Sequence, residues 1–366
     1  MKDDFIIIGA GIIGLSVAIR LLEEGASVSL LERTSVGSEA SWAGGGILSP
    51  LCPWEYPESV TRLAMYSMAC YPEWVAAVNA ATGIDPEYHA CGLLVLPPYD
   101  LAAATHWCSA HSVPFILQPA QQALLLAQVA QVRNPRLLQA LHERVKQLNG
   151  TILEHCEVKQ LRAANRRITT LWTSQGQLSA SRYILTAGAW SRQVLGEFAL
   201  NLKIKPIRGQ MLLYKFPARP IQSIVLQKDL YLIPRRDGHV LIGSTTEDVG
   251  FNKQTTLAAK EKLSAWARSL LPDLDAMPLL KHWSGLRPAA DNNVPCIGAH
   301  PRLSNLFINS GHFRYGVTMA PGSTEILLNE ILGRAQPFST LPYQQGWNAH
   351  DEVFTSENQS QSNSNG

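Results

Sequence analysis

Gly9, Gly11 and Gly14 stand between an apolar run, Phe5-Ile6-Ile7-Ile8, and a helical pattern from Leu15 to Glu24. A second apolar run, Ser27 to Leu31, ends in Glu32 and Arg33. Residues of these types at this spacing can cradle a pyrophosphate. The glycines permit a tight turn and a close backbone approach, and the helix start at Ile12 and Ile13 offers free N–H groups and a partial positive charge. Glu32, at the end of the second strand, is placed to accept from ribose hydroxyls. A carboxylate there disfavours a 2′-phosphate, which argues against NADP and leaves NAD and FAD both open. The glycine pattern alone is weak; strand, helix and acid together make a βαβ dinucleotide fingerprint.

Other segments return to the same place. The loop from Gly37 to Gly46 ends in three consecutive glycines, Gly44, Gly45 and Gly46, just after Ser41 and Ala43. Without side chains, such a backbone can lie close to a planar ligand. The run Tyr183-Ile184-Leu185 enters a second glycine turn at Ala187-Gly188 and reads as a strand rejoining the dinucleotide sheet. Gly311 and Gly316 bracket a turn, containing His312, Phe313 and Arg314, into a last helix that begins around Val317. A helix N-terminus aimed at a ligand would stabilise negative charge on it. Pro321 limits where the regular helix can begin. The pair Arg235-Arg236 reads as a solvated turn flank.

The elements needed to hold these residues fit a chain of 366 residues, which is long enough for two cores. Charged residues make up 16% and the net charge is +2, with no long run of either sign, so nothing points to nucleic acid or an anionic membrane. The six cysteines form no C-x-x-C pair, which argues against a zinc site and a redox dithiol and suits a reducing compartment. No apolar stretch reaches the roughly 18 residues of a membrane span and no signal peptide is visible, so a cytoplasmic protein is expected. The polar tail 355–366 is expected to be disordered.

Helices are expected over 58–82, 101–112, 136–148 and 256–271. Strands are expected over 88–96, 151–155, 178–185, 210–216, 223–227, 230–234, 239–244 and 306–310. The fold class is mixed α/β and α+β. A discontinuous, Rossmann-like dinucleotide domain (1–84, 133–205, 286–340) is joined by an antiparallel-sheet substrate domain (85–132, 206–285).

Taken together, these motifs resemble the FAD-dependent D-amino-acid oxidase family, and within it the glycine oxidases of the thiamine pathway. The resemblance is carried by Ile8-Gly9-Ala10-Gly11-Ile12-Ile13-Gly14, Ser41-Trp42-Ala43-Gly44-Gly45-Gly46, Arg133-Asn134-Pro135, and Thr186-Ala187-Gly188-Ala189-Trp190. It continues in Gly209-Gln210-Met211, Tyr231-Leu232-Ile233-Pro234-Arg235, Gly285-Leu286-Arg287-Pro288 and Gly311-His312-Phe313-Arg314. It covers about residues 4–335. The Ser-Trp-Ala-Gly-Gly-Gly and Gly-His-Phe-Arg segments are its more specific parts.

The resemblance implies FAD, held non-covalently, and oxidation by O2 of an amine next to a carboxylate. The products are an imine, then a keto acid and ammonia, with hydrogen peroxide. Glycine, sarcosine and small D-amino acids are the implied substrates, and a homotetramer the implied assembly. Arg287 and Tyr231 are the implied carboxylate binders, since a planar guanidinium matches a carboxylate bidentately. Arg314 would contact the amine side or hold its loop, and His312 would do either or cap the turn. Gly44, Gly45, Gly46 and Ile47 would border the flavin ring, and Val158 would support the adenine. No general base stands out, which suits a neutral amine whose lone pair assists hydride departure. Two departures bear on substrate choice: Tyr315 stands where relatives usually carry Asn, and Ala289-Ala290 where they often carry Gly-Ser or Gly-Thr. The competing readings are a D-amino-acid dehydrogenase passing electrons to a quinone, an NAD-dependent reductase, and a non-catalytic flavin-binding protein.

Overall fold

The computed structural model describes residues 3–347. The tail expected to be disordered lies outside them. The run Phe5 to Ile8 has no polar residue to turn toward solvent, so it forms a strand buried on both faces. That strand, Asp3–Ile8, lies in the middle of a six-stranded sheet. In order, the sheet contains Cys296–Ala299, Leu306–Ser310, Ala180–Leu185, Asp3–Ile8, Val28–Leu31 and Thr151–Leu153. All neighbours are parallel except the edge strand Cys296–Ala299.

Alternate side chains of the central strand enter different cores. Phe5 and Ile7 join the core under helices Ile12–Glu23, Glu58–Thr82, Asn134–Gln147 and Gly316–Leu332. Ile6 and Ile8 join a second core, closed by a small antiparallel sheet of Val158–Ala164, Arg167–Thr173 and Gly176–Leu178. Each such fully buried side chain contributes roughly 1.5–3 kcal/mol.

A second sheet has eight strands, in the order Leu279–Ala289, Lys205–Lys215, His239–Gly243, Leu230–Pro234, Ile224–Gln227, Leu93–Leu96, Ala123–Leu126 and Ile116–Gln118. It is antiparallel apart from the pairing of Ile224–Gln227 with Leu93–Leu96. Period-two alternation sorts its faces. Leu212, Leu232 and Ile242 pack under helix Leu257–Leu270, while Met211 and Tyr231 face the first core. Paired residues share a face, so Tyr231, Gly243, Met211 and Trp283 form one row, with Gly209 opposite Gly285 and Ile207 opposite Arg287 beside it. The edge strand Leu279–Ala289 continues through 285/286, where the substrate-domain segment 206–285 is expected to end.

A three-stranded patch of Ile47–Leu48, Ala130–Gln131 and His89–Ala90 ties the glycine loop to the second sheet's chain segments. Two expected strands are interrupted: 88–96 breaks at Cys91-Gly92, and 178–185 at Ser179. Gly92 has φ +77, which no regular strand residue adopts.

Pro321 does not delay the last helix. It sits inside Gly316–Leu332. Lacking an N–H, it leaves the Val317 carbonyl without its usual donor, and the Tyr71 hydroxyl supplies one at 2.9 Å.

Candidate active site

A cavity of about 360 Å³ runs between the two sheets. At one end is the glycine fingerprint. Gly9 has φ +107, and its N–H donates to the Leu31 carbonyl at 2.8 Å. A Cβ on Gly14 would lie 1.9 Å from the Gly9 oxygen, so the third glycine permits the close passage of helix over strand. Glu32 is buried and already engaged. One oxygen accepts from Ala10 N–H at 3.1 Å and the other from Thr34 N–H at 2.9 Å and Thr34 Oγ1 at 3.0 Å. The acid thus braces the turn, with lone pairs left over for a ribose. Ser41 Oγ accepts from Ile12 N–H at 3.0 Å, doing for the helix what the side-chain-less N-cap Gly11 cannot. Arg33 lies 3.7 Å from the centre of the Trp190 ring and pairs with Glu39 at 3.0 Å.

The triple-glycine loop is fixed by contacts that exclude side chains. A Cβ on Gly46 would meet Val132 O at 2.1 Å, and one on Gly45 would meet Ile233 Cδ1 at 2.5 Å. Arg235 holds this loop down, and it is a buried residue rather than the solvated turn flank expected from sequence. It donates to Gly45 O at 2.9 Å, Val132 O at 2.7 Å and Gln131 Oε1 at 2.6 Å. Burial draws its pKa down to about 10, still far above neutrality. Arg236 is exposed, as expected, and donates to Tyr88 O.

At the other end lie Arg287 and Tyr231. A Cβ on Gly209 would sit 2.1 Å from Arg287 Nη2, so the guanidinium lies flat on a glycine. A Cβ on Gly243 would sit 2.7 Å from the Tyr231 ring, which is seated the same way. Arg287 donates to Ser244 Oγ at 2.5 Å and to the Thr245 carbonyl at 3.0 Å. Two of its five N–H groups are thereby used, and the rest of the fork is left for a ligand. Burial lowers the guanidinium pKa, with the adjacent Tyr231 opposing, so an incoming carboxylate would find a desolvated cation.

The His312 turn closes this end. Phe313 N–H donates to Pro288 O at 2.8 Å, and His312 bridges to Ala289, so the turn is fastened to the strand of Arg287. His312 is buried, and burial pushes its imidazole down to about 3. It is therefore neutral near pH 7, and its Nε2 has no protein partner among the described residues. Arg314 is held by Asp229 at 2.9 Å and Thr246 Oγ1 at 2.6 Å, an arrangement that can position its loop. Tyr315 is buried edge-on against Tyr56, with ring centroids 5.1 Å apart.

The cavity wall includes Gly9, Gly11, Ile12, Ile13, Glu32, Arg33, Ser41, Ala43, Gly44, Gly45, Gly46, Val158, Ala187, Gly188, Tyr231, Arg287, His312, Phe313, Arg314, Gly316 and Val317. Gly14 and Gly311 are not on it; both are packing glycines behind it, Gly311 at φ +90 against Ala290 and Ile204. Tyr315, expected near the active site, is on the wall, as are Glu39, Trp190, Gly209 and Met211, which the glycine loop and the resemblance motifs include without a role; Gln193, Ser244 and Asn309 line it too and are not among the residues singled out from sequence. Met211 and Gly209 come beside Tyr231 and Arg287 through the register between separate strands, which no local pattern in the sequence encodes. Ser244 and Gln193 carry no local signal.

An elongated dinucleotide with a ring system fits this wall. A glycine cradle and helix N-terminus stand at one end, side-chain-free loops flank the middle, and two buried polar atoms, His312 Nε2 and Asn309 Oδ1, await partners beside the ring end. Of the six cysteines, Cys156 is on the wall, at the nucleotide end beside Glu157 and Val158.

Residues 4–329 match the family model described as FAD dependent oxidoreductase, DAO. The glycine oxidase of Pseudomonas aeruginosa is 40% identical over 358 residues, covering 94% of this chain and 98% of the relative. The bifunctional protein ThiO/ThiG of Trichormus variabilis is 28% identical over 91% of this chain, which spans 53% of that longer protein. The crystal structure of glycine oxidase from Geobacillus kaustophilus shares the fold with a TM-score of 0.89 at 24% identity, covering 94% and 98% of the two chains.

Proposed function

The chain belongs to the FAD dependent oxidoreductase (DAO) family, and from that premise we propose that it oxidises glycine and other small amines, sarcosine and small D-amino acids among them. Bound FAD supplies the two-electron acceptor, and O2 takes the electrons on to give hydrogen peroxide. The imine then hydrolyses to a keto acid and the free amine, ammonia from glycine and primary D-amino acids and methylamine from sarcosine; the oxidation of glycine suits the thiazole branch of thiamine synthesis. One observation carries this reading. A desolvated guanidinium, Arg287, lies in a glycine-floored slot at one end of a cavity whose other end is a dinucleotide cradle.

In this reading Arg287 takes the substrate carboxylate through its free N–H groups, and Tyr231 donates a further hydrogen bond from its hydroxyl. Ser244 and Thr245 fix the fork beforehand, so orientation is built in before substrate arrives. His312, neutral near pH 7, offers Nε2 to the ring end of the site rather than carrying protons from the substrate. Arg314 holds the turn through Asp229 and Thr246. The nucleotide half is held by Gly9, Gly11, Ile12 and Ile13, with Glu32, Arg33 and Val158 beside the adenosine and Ala187 and Gly188 across from them. Ser41 and Ala43 through Gly46 shape the middle, with Gly14 and Gly311 behind the wall, and Gly316, Val317 and Phe313 at the last helix. Cys156 at the nucleotide end leaves no cysteine on the wall by Arg287, consistent with non-covalent FAD. Segments 85–132 and 206–285 make the substrate side, and 1–84, 133–205 and 286–340 the flavin side. Unpaired cysteines suit a cytoplasmic enzyme, and a homotetramer is the expected assembly. Among the described residues, no helix is long and apolar enough to cross a membrane.

The test is peroxide release in air by the purified yellow protein with glycine, sarcosine, D-alanine, D-proline and L-alanine. Fastest release with glycine or sarcosine supports the proposal. Flavin that bleaches with D-amino acids but yields little peroxide would replace it with a quinone-linked dehydrogenase.

A further inference from the structure

The nucleotide end of the cavity is covered from outside by a connection of the other sheet. Residues 246–256 lead from strand His239–Gly243 toward helix Leu257–Leu270 and cross to the six-stranded sheet's side. Two contacts meet them there. Phe251 packs on Trp190, with ring centroids 5.5 Å apart and planes inclined at 34°. Lys253 Nζ reaches both oxygens of Glu39, at 3.0 and 3.2 Å. Trp190 and Glu39 are also the two partners of Arg33. Arg33, Glu39 and Trp190 line the cavity; Phe251 and Lys253 do not.

The segment is shaped from behind. The buried Arg208 pairs with Glu247 and donates to the carbonyls of Asn252 at 3.4 Å and Gln254 at 2.7 Å. Ser284, three residues before Arg287, donates to the Lys253 carbonyl. A surface segment braced this way, presenting Phe251 at 39% exposure to a cavity-wall tryptophan, is built to press on that wall.

We propose that residues 246–256 form a latch that retains FAD, in which Phe251 and Lys253 hold Trp190, Arg33 and Glu39 against the cofactor's adenosine half without touching it. Phe251 and Lys253 are positioning residues. FAD leaves only when Arg33 and Trp190 swing away, and the latch must open first. The aromatic stack and the ion pair each add modestly to that barrier. The inference rests on FAD occupying this cavity.

The experiment is release of FAD from the holoenzyme on dilution, followed by flavin fluorescence. The double variant Phe251→Ala/Lys253→Ala is expected to release FAD about 10-fold faster than the unaltered protein. Its kcat at saturating FAD is expected to stay unchanged, and its apoprotein is expected to lose less melting temperature than its holoenzyme. Phe251→Tyr, which keeps the stack, is expected to release FAD at the original rate. Raising the ionic strength is expected to speed release from the unaltered protein more than from the Lys253→Ala variant, in which only the Arg33–Glu39 pair is left to screen. A release rate within twofold of the original in the double variant overturns the latch, as does an apoprotein melting loss equal to that of the holoenzyme. A purified protein that takes up no FAD at all overturns the reading of the cavity instead.

Discussion

Gly209→Ala is the sharpest test of how the substrate end works, because it alters the site without removing a functional group. The new Cβ would stand 2.1 Å from Arg287 Nη2, 2.3 Å from Cζ and 2.5 Å from Nη1. Ordinary contact needs about 3.5 Å, so the guanidinium must rise by more than about 1 Å. It cannot rise that far and keep both Ser244 Oγ at 2.5 Å and the Thr245 carbonyl at 3.0 Å. A charge-assisted hydrogen bond is worth about 1.5–3 kcal/mol, and a misplacement of about 1 Å at a reacting site costs on the order of 100-fold in rate. The expected loss in kcat/KM for glycine is therefore about 100-fold, or about 2.7 kcal/mol. Flavin content is expected to be unchanged, since the substitution lies at the end away from the glycine cradle. The assay is peroxide release over a range of glycine concentrations, with a visible spectrum of each preparation. A variant within threefold of the unaltered kcat/KM would refute the argument that Gly209 seats Arg287, provided Arg287→Ala is itself inactive.

Gly14→Ala should destabilise the protein by about 3 kcal/mol or more, because its Cβ would meet the Gly9 carbonyl oxygen at 1.9 Å; Gly11→Ala meets only Ser41 Oγ, at 3.1 Å, and should lose far less in urea unfolding. Tyr71→Phe should cost about 1–3 kcal/mol by stripping the Val317 carbonyl of its donor, and Pro321→Ala in the same chain should return part of that by restoring a helical N–H; a double-mutant cycle of melting curves decides. His312 is held neutral, with a folded pKa of about 3 against an ordinary value near 6.5, so the unfolded chain binds the extra proton and stability falls as pH drops from about 6.5 toward 3. Between pH 7.5 and 5 that is up to about 2 kcal/mol, and His312→Asn should remove it from the pH dependence of unfolding. An unchanged pH slope in that variant would remove the argument.

The parts legible from sequence are those in which the signal and the structure are both local. Strand, glycine turn, helix and acid from Phe5 to Glu32 lie within one short stretch, and their chemistry depends on spacing along the chain. The same holds for helix 58–82 and strand 230–234, whose periodicities match what forms. Pro321 and Arg235 depart from the expectation for one reason: each is compensated from far away. Tyr71, 246 positions back along the chain from Val317, makes a helical proline tolerable there, and a glycine carbonyl 190 positions away helps make a buried arginine tolerable. Neither partner can be inferred from neighbours in sequence.

By itself, then, the chain order determined the strand, glycine turn, helix and acid from Phe5 to Glu32 and the strand that carries Tyr231. What only tertiary structure decided is which groups meet. Register between separate strands lays Arg287 over Gly209 and Tyr231 over Gly243. The folding of the chain buries His312 until it loses its charge and brings Phe251 and Lys253 onto Trp190 and Glu39 of the cavity wall. Reactivity in such a site comes from desolvation and from contacts at a few ångströms, and both depend on residues far apart in the chain.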